Sequence, residues 1–219
     1  MIRVLVVDDH PIVRRGLIAE INLNPEMQVV GEAKNGMEAI EMAEKLCPDV
    51  ILMDIVMPEM DGIQATKAII LKNPSSKILI LTSFTEEEKI FSAISSGANG
   101  FIYKDQHPAK VLEAIKDVFM DIPVLNPTFT RKMMREIQQP KQNEPKYDLT
   151  DRELGILKMV ALGKPYKIIA NDLGLRQATI RAHVSNILSK LNLSNRSQLV
   201  LFAIQNELIE SDMAKNHNL

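Results

Sequence analysis

Three acidic side chains in the first half of the sequence follow short apolar runs that have the length of β-strands. Asp8 and Asp9 follow one run, and Asp54 ends another. Thr82 and Lys104 stand at the ends of two further runs, so a hydroxyl and an ammonium group accompany the carboxylates. Clustered carboxylates repel one another unless a cation such as Mg²⁺ neutralises them, and Lys and Thr can bind phosphoryl oxygens. These residue types together predict phosphoryl-transfer chemistry that uses Mg²⁺.

A second group of chemically suggestive residues, between positions 164 and 196, is mainly basic and is interrupted by the acidic Asp172. Its basic members are Lys164, Lys167, Arg176, Arg181, Lys190 and Arg196. The formal charge of the chain is -2, with the acidic excess in residues 1–120 and the basic excess in residues 149–219. This asymmetry suggests that the second half faces a polyanion, although local charge runs often only solvate a surface.

The first half has the alternating pattern of a parallel α/β domain. Apolar runs predict strands at 3–7, 28–33, 50–53, 78–82 and 100–103, and amphipathic patterns predict helices at 11–22, 36–45, 62–72, 85–96 and 108–120. Strands that are apolar almost throughout are typical of a parallel sheet covered on both faces. We therefore expect a doubly wound five-stranded sheet. In such a sheet the carboxyl ends of the strands meet at one rim, which would bring the five side chains together.

The second half is predicted to be helical. A short helix is expected at 128–138, a polar and proline-containing linker at 139–147, and four helices at 151–162, 165–173, 177–191 and 197–210. Thr150 followed by Glu153 predicts a capping box at the first of these four helices. The expected domains are 1–120, a connecting stretch of 121–148 and an all-α domain of 149–212.

The helix predicted at 177–191 has two distinct faces. Helical spacing predicts a buried stripe of Ile180, Val184, Ile187, Leu188 and Leu191. The opposite face carries Ala178, Arg181, Ala182, Ser185 and Ser189. Because this face is small apart from Arg181, it could approach a nucleic-acid groove closely, and a merely solvated face is the alternative.

Several classes of protein are disfavoured by composition. The single cysteine, Cys47, excludes an intramolecular disulfide. No apolar run approaches the ~20 residues that span a bilayer, so we expect a cytoplasmic protein without a membrane partner. No glycine-rich phosphate loop is present, and neither His10 nor Cys47 has partners at the spacing of a metal site or a nucleophile.

Four segments of the first half resemble the receiver domain of two-component response regulators: VLVVDDHPIVRRGL, PDVILMDIVMPEMDG, ILILTSF and GANGFIYKD. The resemblance implies a flavodoxin-like fold in which Asp54 accepts a phosphoryl group from the phosphohistidine of a sensor histidine kinase. It also implies that Mg²⁺ is held by Asp54, by Asp9, by Asp8 through water, and by the backbone carbonyl of Val56.

The same resemblance assigns three residues to the response to phosphorylation. Lys104 would pair with the phosphoryl group, Thr82 would hydrogen-bond it, and Phe101 would rotate inward. This sequence departs from the family in having Phe101 where Tyr is more common, and Lys104-Asp105 where many receivers have Lys-Pro.

The second half resembles the C-terminal helix-turn-helix domain of NarL/FixJ (LuxR-type) regulators, from LTDRELGILKMVALGK to KLNLSNRSQL. The resemblance implies that 177–191 is a recognition helix in the major groove of double-stranded DNA and that 197–210 pairs two copies into a dimer. The residues expected to face bases are Arg181, Ala182 and Ser185, and those nearer the phosphates are Lys167, Thr179 and Lys190. Pro165, Tyr166 and Arg176 depart from the family pattern, and two helix N-caps are lost with them.

The predicted function is a transcription regulator, not an enzyme, in which phosphorylation of Asp54 promotes homodimerisation and DNA binding. One alternative is a regulator whose receiver works without phosphorylation, which a lack of labelling by acetyl phosphate would favour. Another is an aspartyl-phosphate hydrolase, which turnover of small phosphoesters would favour. That class needs a second acid/base carboxylate beside the nucleophile, whereas Asp54 is followed by Ile-Val-Met.

Overall fold

The computed structural model describes residues 1–83, 87–126, 129 and 148–209, with only the backbone at 87 and 88. The chain divides into two compact units, Met1–Asn126 and Pro127–Leu219, and each is described by itself. Apart from Phe129, the helix expected at 128–138 and the linker expected at 139–147 lie outside the described residues.

The first unit is built on a parallel sheet with the strand order β2-β1-β3-β4-β5. Its strands are β1 (Ile2–Val7), β2 (Met27–Ala33), β3 (Val50–Asp54), β4 (Ile78–Thr82) and β5 (Gly100–Tyr103). Every residue of β3 and β4 is buried, as expected for central strands covered on both faces. The predicted fold is confirmed, and each strand lies within one residue of its predicted position.

Helices cover both faces of this sheet. They are α1 (Pro11–Leu23), α2 (Gly36–Leu46), α3 (Gly62–Lys72), α4 (Glu87–Ser95) and α5 (Pro108–Phe119). The buried residues of α1 and α5 share one apolar cluster with alternate residues of the strands, from Val4 on β1 to Ile102 on β5. Helix α2 contacts β1 and β2, α3 contacts β3, and α4 contacts β4. The predicted start of α4, Thr85, lies outside the described residues.

Local signals explain where two of these helices begin and end. The Asn35 side chain accepts a hydrogen bond from the Glu38 amide at the start of α2, and the Asp61 side chain accepts one from the Gln64 amide at the start of α3. Helix α2 ends at the exposed Cys47, whose φ of 44° is left-handed. These signals fix both ends of α2 and the start of α3.

The chain beyond α5 turns back along the outer edge of β5. Asp121 is left-handed (φ 60°), and the Ile122 amide donates to the Asp117 carbonyl over 2.8 Å, which is the arrangement of a Schellman motif. Val124 then pairs with Gly100 in a parallel bridge, and the Phe101 amide donates to the Val124 carbonyl over 2.9 Å. The first compact unit therefore extends to Asn126.

The second unit is helical in its described residues. Its helices are α6 (Asp151–Ala161), α7 (Tyr166–Asp172), α8 (Gln177–Lys190) and α9 (Arg196–Gln205). On α8, Ile180, Val184 and Ile187 are buried, while Leu188 and Leu191 are half-buried, so the predicted stripe faces the core. No helix in the described ranges combines the length and the apolar character that crossing a bilayer requires.

The capping box and the two missing caps predicted for this unit are confirmed. Thr150 and Glu153 form the predicted capping box at the start of α6. Neither Pro165, before α7, nor Arg176, before α8, makes a side-chain capping bond. Pro165 is the N-cap residue and lies just outside α7. Gly174, with φ 65°, makes the turn between α7 and α8.

Candidate functional site

The rim at the carboxyl ends of the strands brings the predicted acidic and basic side chains together. Asp8 and Asp9 follow β1, Asp54 ends β3, and Lys104 follows β5. The Lys104 Nζ lies 2.7 Å from Asp54 Oδ2 and 3.0 Å from Asp8 Oδ2. A single ammonium group thus bridges the carboxylates of two strands.

Burial dominates the electrostatics of Asp54, which is 2% exposed. Removal from water disfavours its charged form and raises its pKa to about 6; the Lys104 ammonium lowers that pKa, and Asp8 and Asp9 raise it. Burial lowers the pKa of Lys104, but contact with Asp54 and Asp8 outweighs burial and raises it overall. At neutral pH the pair is therefore a carboxylate and an ammonium ion, and Asp54 has the charge that a nucleophile needs.

The donor set fits a divalent cation. Asp8, Asp9, His10 and Asp54 each offer a ligand atom, and these atoms lie within 4.8 Å of one another. The oxygens Asp8 Oδ2 and Asp54 Oδ2 are buried, and both face the Lys104 ammonium, so they converge on one cationic position. Carboxylate oxygens of this kind suit Mg²⁺.

His10 was not predicted to take part in this site. Its Nδ1 lies 2.6 Å from Asp9 Oδ1 and its backbone amide donates to Asp8 Oδ1 over 2.8 Å. The signal in the sequence was its position directly after the two aspartates. Arg14 holds the same loop from the other side, because its Nη1 donates to the Asp8 carbonyl over 2.7 Å.

The loop after β3 presents Asp54 through a close backbone approach. A Cβ at position 62 would lie 1.9 Å from the Asp54 carbonyl oxygen, so only glycine fits there. The Gly62 amide donates to the Ile55 carbonyl over 2.8 Å, which closes the loop. Val56, two residues beyond Asp54, is 46% exposed.

Thr82 lies on β4, which pairs with β3, and Phe101 lies on β5, which pairs with β4. Thr82 is fully buried at the end of β4, and its hydroxyl donates to the Ser83 carbonyl over 3.2 Å. Phe101 is buried on β5, with its ring edge-on to Tyr103 at 5.5 Å between centroids. The Phe101 ring therefore already faces inward in this structure.

The helix α8 presents the predicted small face to solvent. Its exposed residues include Ala178, Arg181, Ala182, Ser185 and Ser189. Thr179 is half-buried near the start of α8, and Lys167 on α7 is exposed. Among these five exposed residues of α8, Arg181 is the one long cation, and the other four side chains are small.

Part of the basic excess of this unit is engaged internally. Arg196 is 8% exposed, donates to the Lys164 carbonyl over 2.8 Å and stacks on the Tyr166 ring at 4.8 Å. The Lys164 ammonium pairs with Asp172 at 2.8 Å. These side chains stabilise the junctions of α6, α7 and α9, so the sequence overstated the charge available to a polyanion.

Lys190, the last residue of α8, has a partner within the domain. Its Nζ lies 2.7 Å from Glu153 Oε2, and that oxygen also accepts from the Thr150 amide over 2.9 Å. The Lys190 ammonium and the bonds from Thr150 lower the pKa of Glu153 to about 2. The ion pair joins the end of α8 to the start of α6.

Comparisons with known families cover both units. Residues 4–116 match the family described as "Response regulator receiver domain". Residues 148–203 match the family described as "Bacterial regulatory proteins, luxR family".

Relatives that match over the whole length agree with these assignments. The transcriptional regulatory protein LiaR of Bacillus subtilis is 40% identical over 95% of this chain and 100% of its own length. The response regulator protein VraR of Staphylococcus saprophyticus is 38% identical over 95% of this chain and 99% of its own. The crystal structure of the response regulator ChrA of a heme-sensing two-component system is 32% identical and covers 95% of this chain and 98% of its own, with a TM-score of 0.53. The acidic rim of the first unit and the helix-turn-helix of the second thus belong to a two-component response regulator of the luxR family, a transcription factor.

Proposed function

We propose that Asp54 accepts a phosphoryl group from the phosphohistidine of a sensor histidine kinase and that this event controls DNA binding by α8. The observation that carries the proposal is the nearly complete burial of Asp54 beside two further aspartates and the Lys104 ammonium. The ion-pair partner of Asp54 among the described residues is the Lys104 ammonium, a group that could also bind phosphoryl oxygens.

The transfer exchanges one bond to phosphorus for another. An Asp54 carboxylate oxygen attacks the phosphorus in line with the N–P bond of the kinase, and the O–P bond forms as the N–P bond breaks. The electron pair of the broken bond returns to the imidazole nitrogen, which takes a proton from water. Because Asp54 must be ionised to attack, its pKa of about 6 leaves it competent at neutral pH.

The proposed metal ligands are the carboxylates of Asp9 and Asp54, the Val56 backbone carbonyl and, through water, Asp8. When bound, Mg²⁺ would offset the negative charge that gathers between the carboxylates and the phosphoryl group. Arg14 and His10 hold the Asp8–Asp9 loop in place for this purpose through the contacts described above.

Two residues change partner on phosphorylation in the proposed mechanism, and a third supports one of them. The Lys104 ammonium, now 2.7 Å from Asp54, pairs with a phosphoryl oxygen. The Thr82 hydroxyl turns from the Ser83 carbonyl to a second oxygen. Phe101 stays packed inward behind Thr82 and stabilises that position.

The second unit is proposed to bind double-stranded DNA as a homodimer. Helix α8 would lie in the major groove with Arg181, Ala182 and Ser185 towards the bases, and Lys167 and Thr179 nearer the phosphates. The exposed, small face of α8 supports this placement. Lys190 remains in the proposed phosphate set, in competition with its ion pair to Glu153.

Phosphorylation of Asp54 is tested directly by intact mass after incubation with acetyl phosphate and Mg²⁺. We expect about one phosphoryl group per wild-type chain and none on Asp54→Asn. The control is Asp105→Asn, which removes an exposed carboxylate close to Lys104 and is expected to label like the wild type. Equal labelling of Asp54→Asn would contradict the assignment, and catalytic turnover of small phosphoesters would favour a hydrolase.

A further inference from the structure

We propose that residues 122–126 are the output segment of the receiver, through which the state of β5 reaches the chain that leads to the DNA-binding domain. This inference rests on the proposed phosphorylation of Asp54 and names the route by which it acts. Residues 122–126 were predicted to belong to the connecting stretch, yet Val124 pairs with β5 and packs against the receiver core.

The start of the segment is fixed to the receiver. The Schellman motif at Asp121 ends α5 and turns the chain back towards the sheet. The Lys77 ammonium pairs with Asp121 at 3.0 Å and donates to the Phe119 carbonyl. The residue before the output segment, Asp121, is therefore anchored to Lys77, which directly precedes β4.

The pairing with β5 is unusually close. A Cβ at position 100 would lie 2.5 Å from the Val124 carbonyl oxygen and 2.8 Å from the Val124 Cβ. The Phe101 amide donates to that same carbonyl oxygen over 2.9 Å. With no spare space at Gly100, a displacement of β5 moves Val124 or breaks its hydrogen bond.

The strand β5 links the phosphorylation site to this edge. Lys104, one residue beyond the strand, holds Asp54 and is proposed to pair with the phosphoryl group when it arrives. The Lys104 amide donates to the Thr82 carbonyl, so β4 and β5 respond together. On one side β5 pairs with β4, and on the other it carries Val124. A movement of β5 caused by the phosphoryl group would therefore also displace the output segment.

The substitution Gly100→Ala tests the coupling between β5 and Val124 separately from the phosphorylation of Asp54. The new Cβ forces Val124 away from β5 without touching the carboxylates of the site. Gly16→Ala in α1 is the matched control, because nothing lies within 4 Å of a Cβ there. We expect Gly100→Ala to label with acetyl phosphate to within about twofold of the wild type but to lose most of the phosphorylation-dependent gain in DNA affinity. Gly16→Ala should keep both properties.

Hydrogen exchange of the wild-type chain gives a second readout that does not depend on any variant. Peptides covering Gly100–Phe101 and residues 121–126 should change their exchange rates on phosphorylation, and in Gly100→Ala the 121–126 peptide should exchange faster even without phosphorylation. Two results would overturn this inference and leave the proposed function intact. One is a fully labelled wild type in which the exchange of these peptides does not change. The other is a labelled Gly100→Ala that keeps the full gain in DNA affinity. An unlabelled wild type would instead overturn the proposed function, and the inference with it.

Discussion

The burial that prepares Asp54 for chemistry also makes it a destabilising residue at neutral pH. Raising its pKa from 3.8 to about 6 means that the folded chain binds a proton more tightly than the unfolded chain. The resulting cost is absent below pH 3.8, grows between the two pKa values and is complete above pH 6, where it reaches about 3 kcal/mol.

We therefore expect Asp54→Asn to raise the free energy of unfolding of the receiver at pH 7.5 in Mg²⁺-free buffer. The gain should shrink as the pH falls through 6 and vanish near pH 4, because protonation removes the cost in the wild type. Denaturant titrations across this pH range measure it, with Asp105→Asn as the surface control. A gain that does not depend on pH would show that desolvation of the charge is not its cause.

Val56 is expected to prolong the phosphorylated state. It is exposed two residues beyond Asp54, and its side chain cannot hydrogen-bond the water that hydrolyses an acyl phosphate. Val56→Asn should speed the decay of phospho-Asp54 about tenfold. Val56→Ala, which removes bulk without adding a polar group, is the control. Equal acceleration in both variants would mean that Val56 acts by steric exclusion. Phe84, two residues beyond Thr82 in the sequence, lies outside the described residues.

The main residues of the acidic site could be predicted because their positions follow from topology. Asp8, Asp54 and Lys104 end or follow parallel strands, and the rule that such strand ends meet at one rim was enough to bring them together. His10 was missed because it continues past the strand end, and its contact with Asp9 depends on the path of a loop. The raised pKa of Asp54 depends on burial, which a motif does not report.

At the scale of single helices, α8 and α7 should contribute to DNA binding in different ways. Arg181→Ala, on the exposed face of α8, should weaken specific binding by ~1–3 kcal/mol and relax the preference at one base pair. Lys167→Ala, on α7, should weaken all sequences similarly and reduce the salt slope by about one. Titrations at several salt concentrations on specific and scrambled DNA distinguish the two. Identical behaviour of the variants would remove the base contact from Arg181.

The Glu153–Lys190 pair braces α8 against α6, and this sets a different expectation for Lys190. Lys190→Ala should lower the melting temperature of the DNA-binding domain, because the buried Glu153 loses its ammonium partner. Glu153→Gln should reduce the loss caused by Lys190→Ala when the two are combined, since the unpaired charge is then absent. Thermal unfolding of the single and double variants measures the coupling. Additive losses would show that the two side chains do not act as a pair.

Helices and strands could be predicted where the apolar periodicity of the sequence is strong. Features that depend on a tertiary contact were missed. The strands and most helices lie close to their predicted positions because their apolar patterns continue for several residues. Helix α9 is an exception, because it ends at Gln205, five residues before its predicted end. Val124 was assigned to a connecting stretch because Pro123 and its neighbours carry no period, and its pairing depends on the missing Cβ of Gly100. Lys190 was placed near DNA from its position on α8, whereas its partner lies 37 residues earlier.

For the whole molecule we expect phosphorylation to shift a monomer–dimer equilibrium. Pairing two chains presents two recognition helices together, so the second half-site is bound at a raised effective concentration. Sedimentation of the wild type with and without acetyl phosphate should show a larger species only after labelling, and Asp54→Asn should not respond. DNA binding that tightens in a chain that stays monomeric would contradict this account.

The left-handed, exposed end of α2 has a practical consequence for studying that equilibrium. Cys47 is the single cysteine of the chain and stands at this end. Its place just before β3 puts it at the edge of the sheet opposite the acidic rim. A nitroxide or a fluorophore attached to the natural thiol would mark one point per receiver without any engineered residue. Spin–spin or energy-transfer distances between two labelled copies would then report how the receivers pair on phosphorylation.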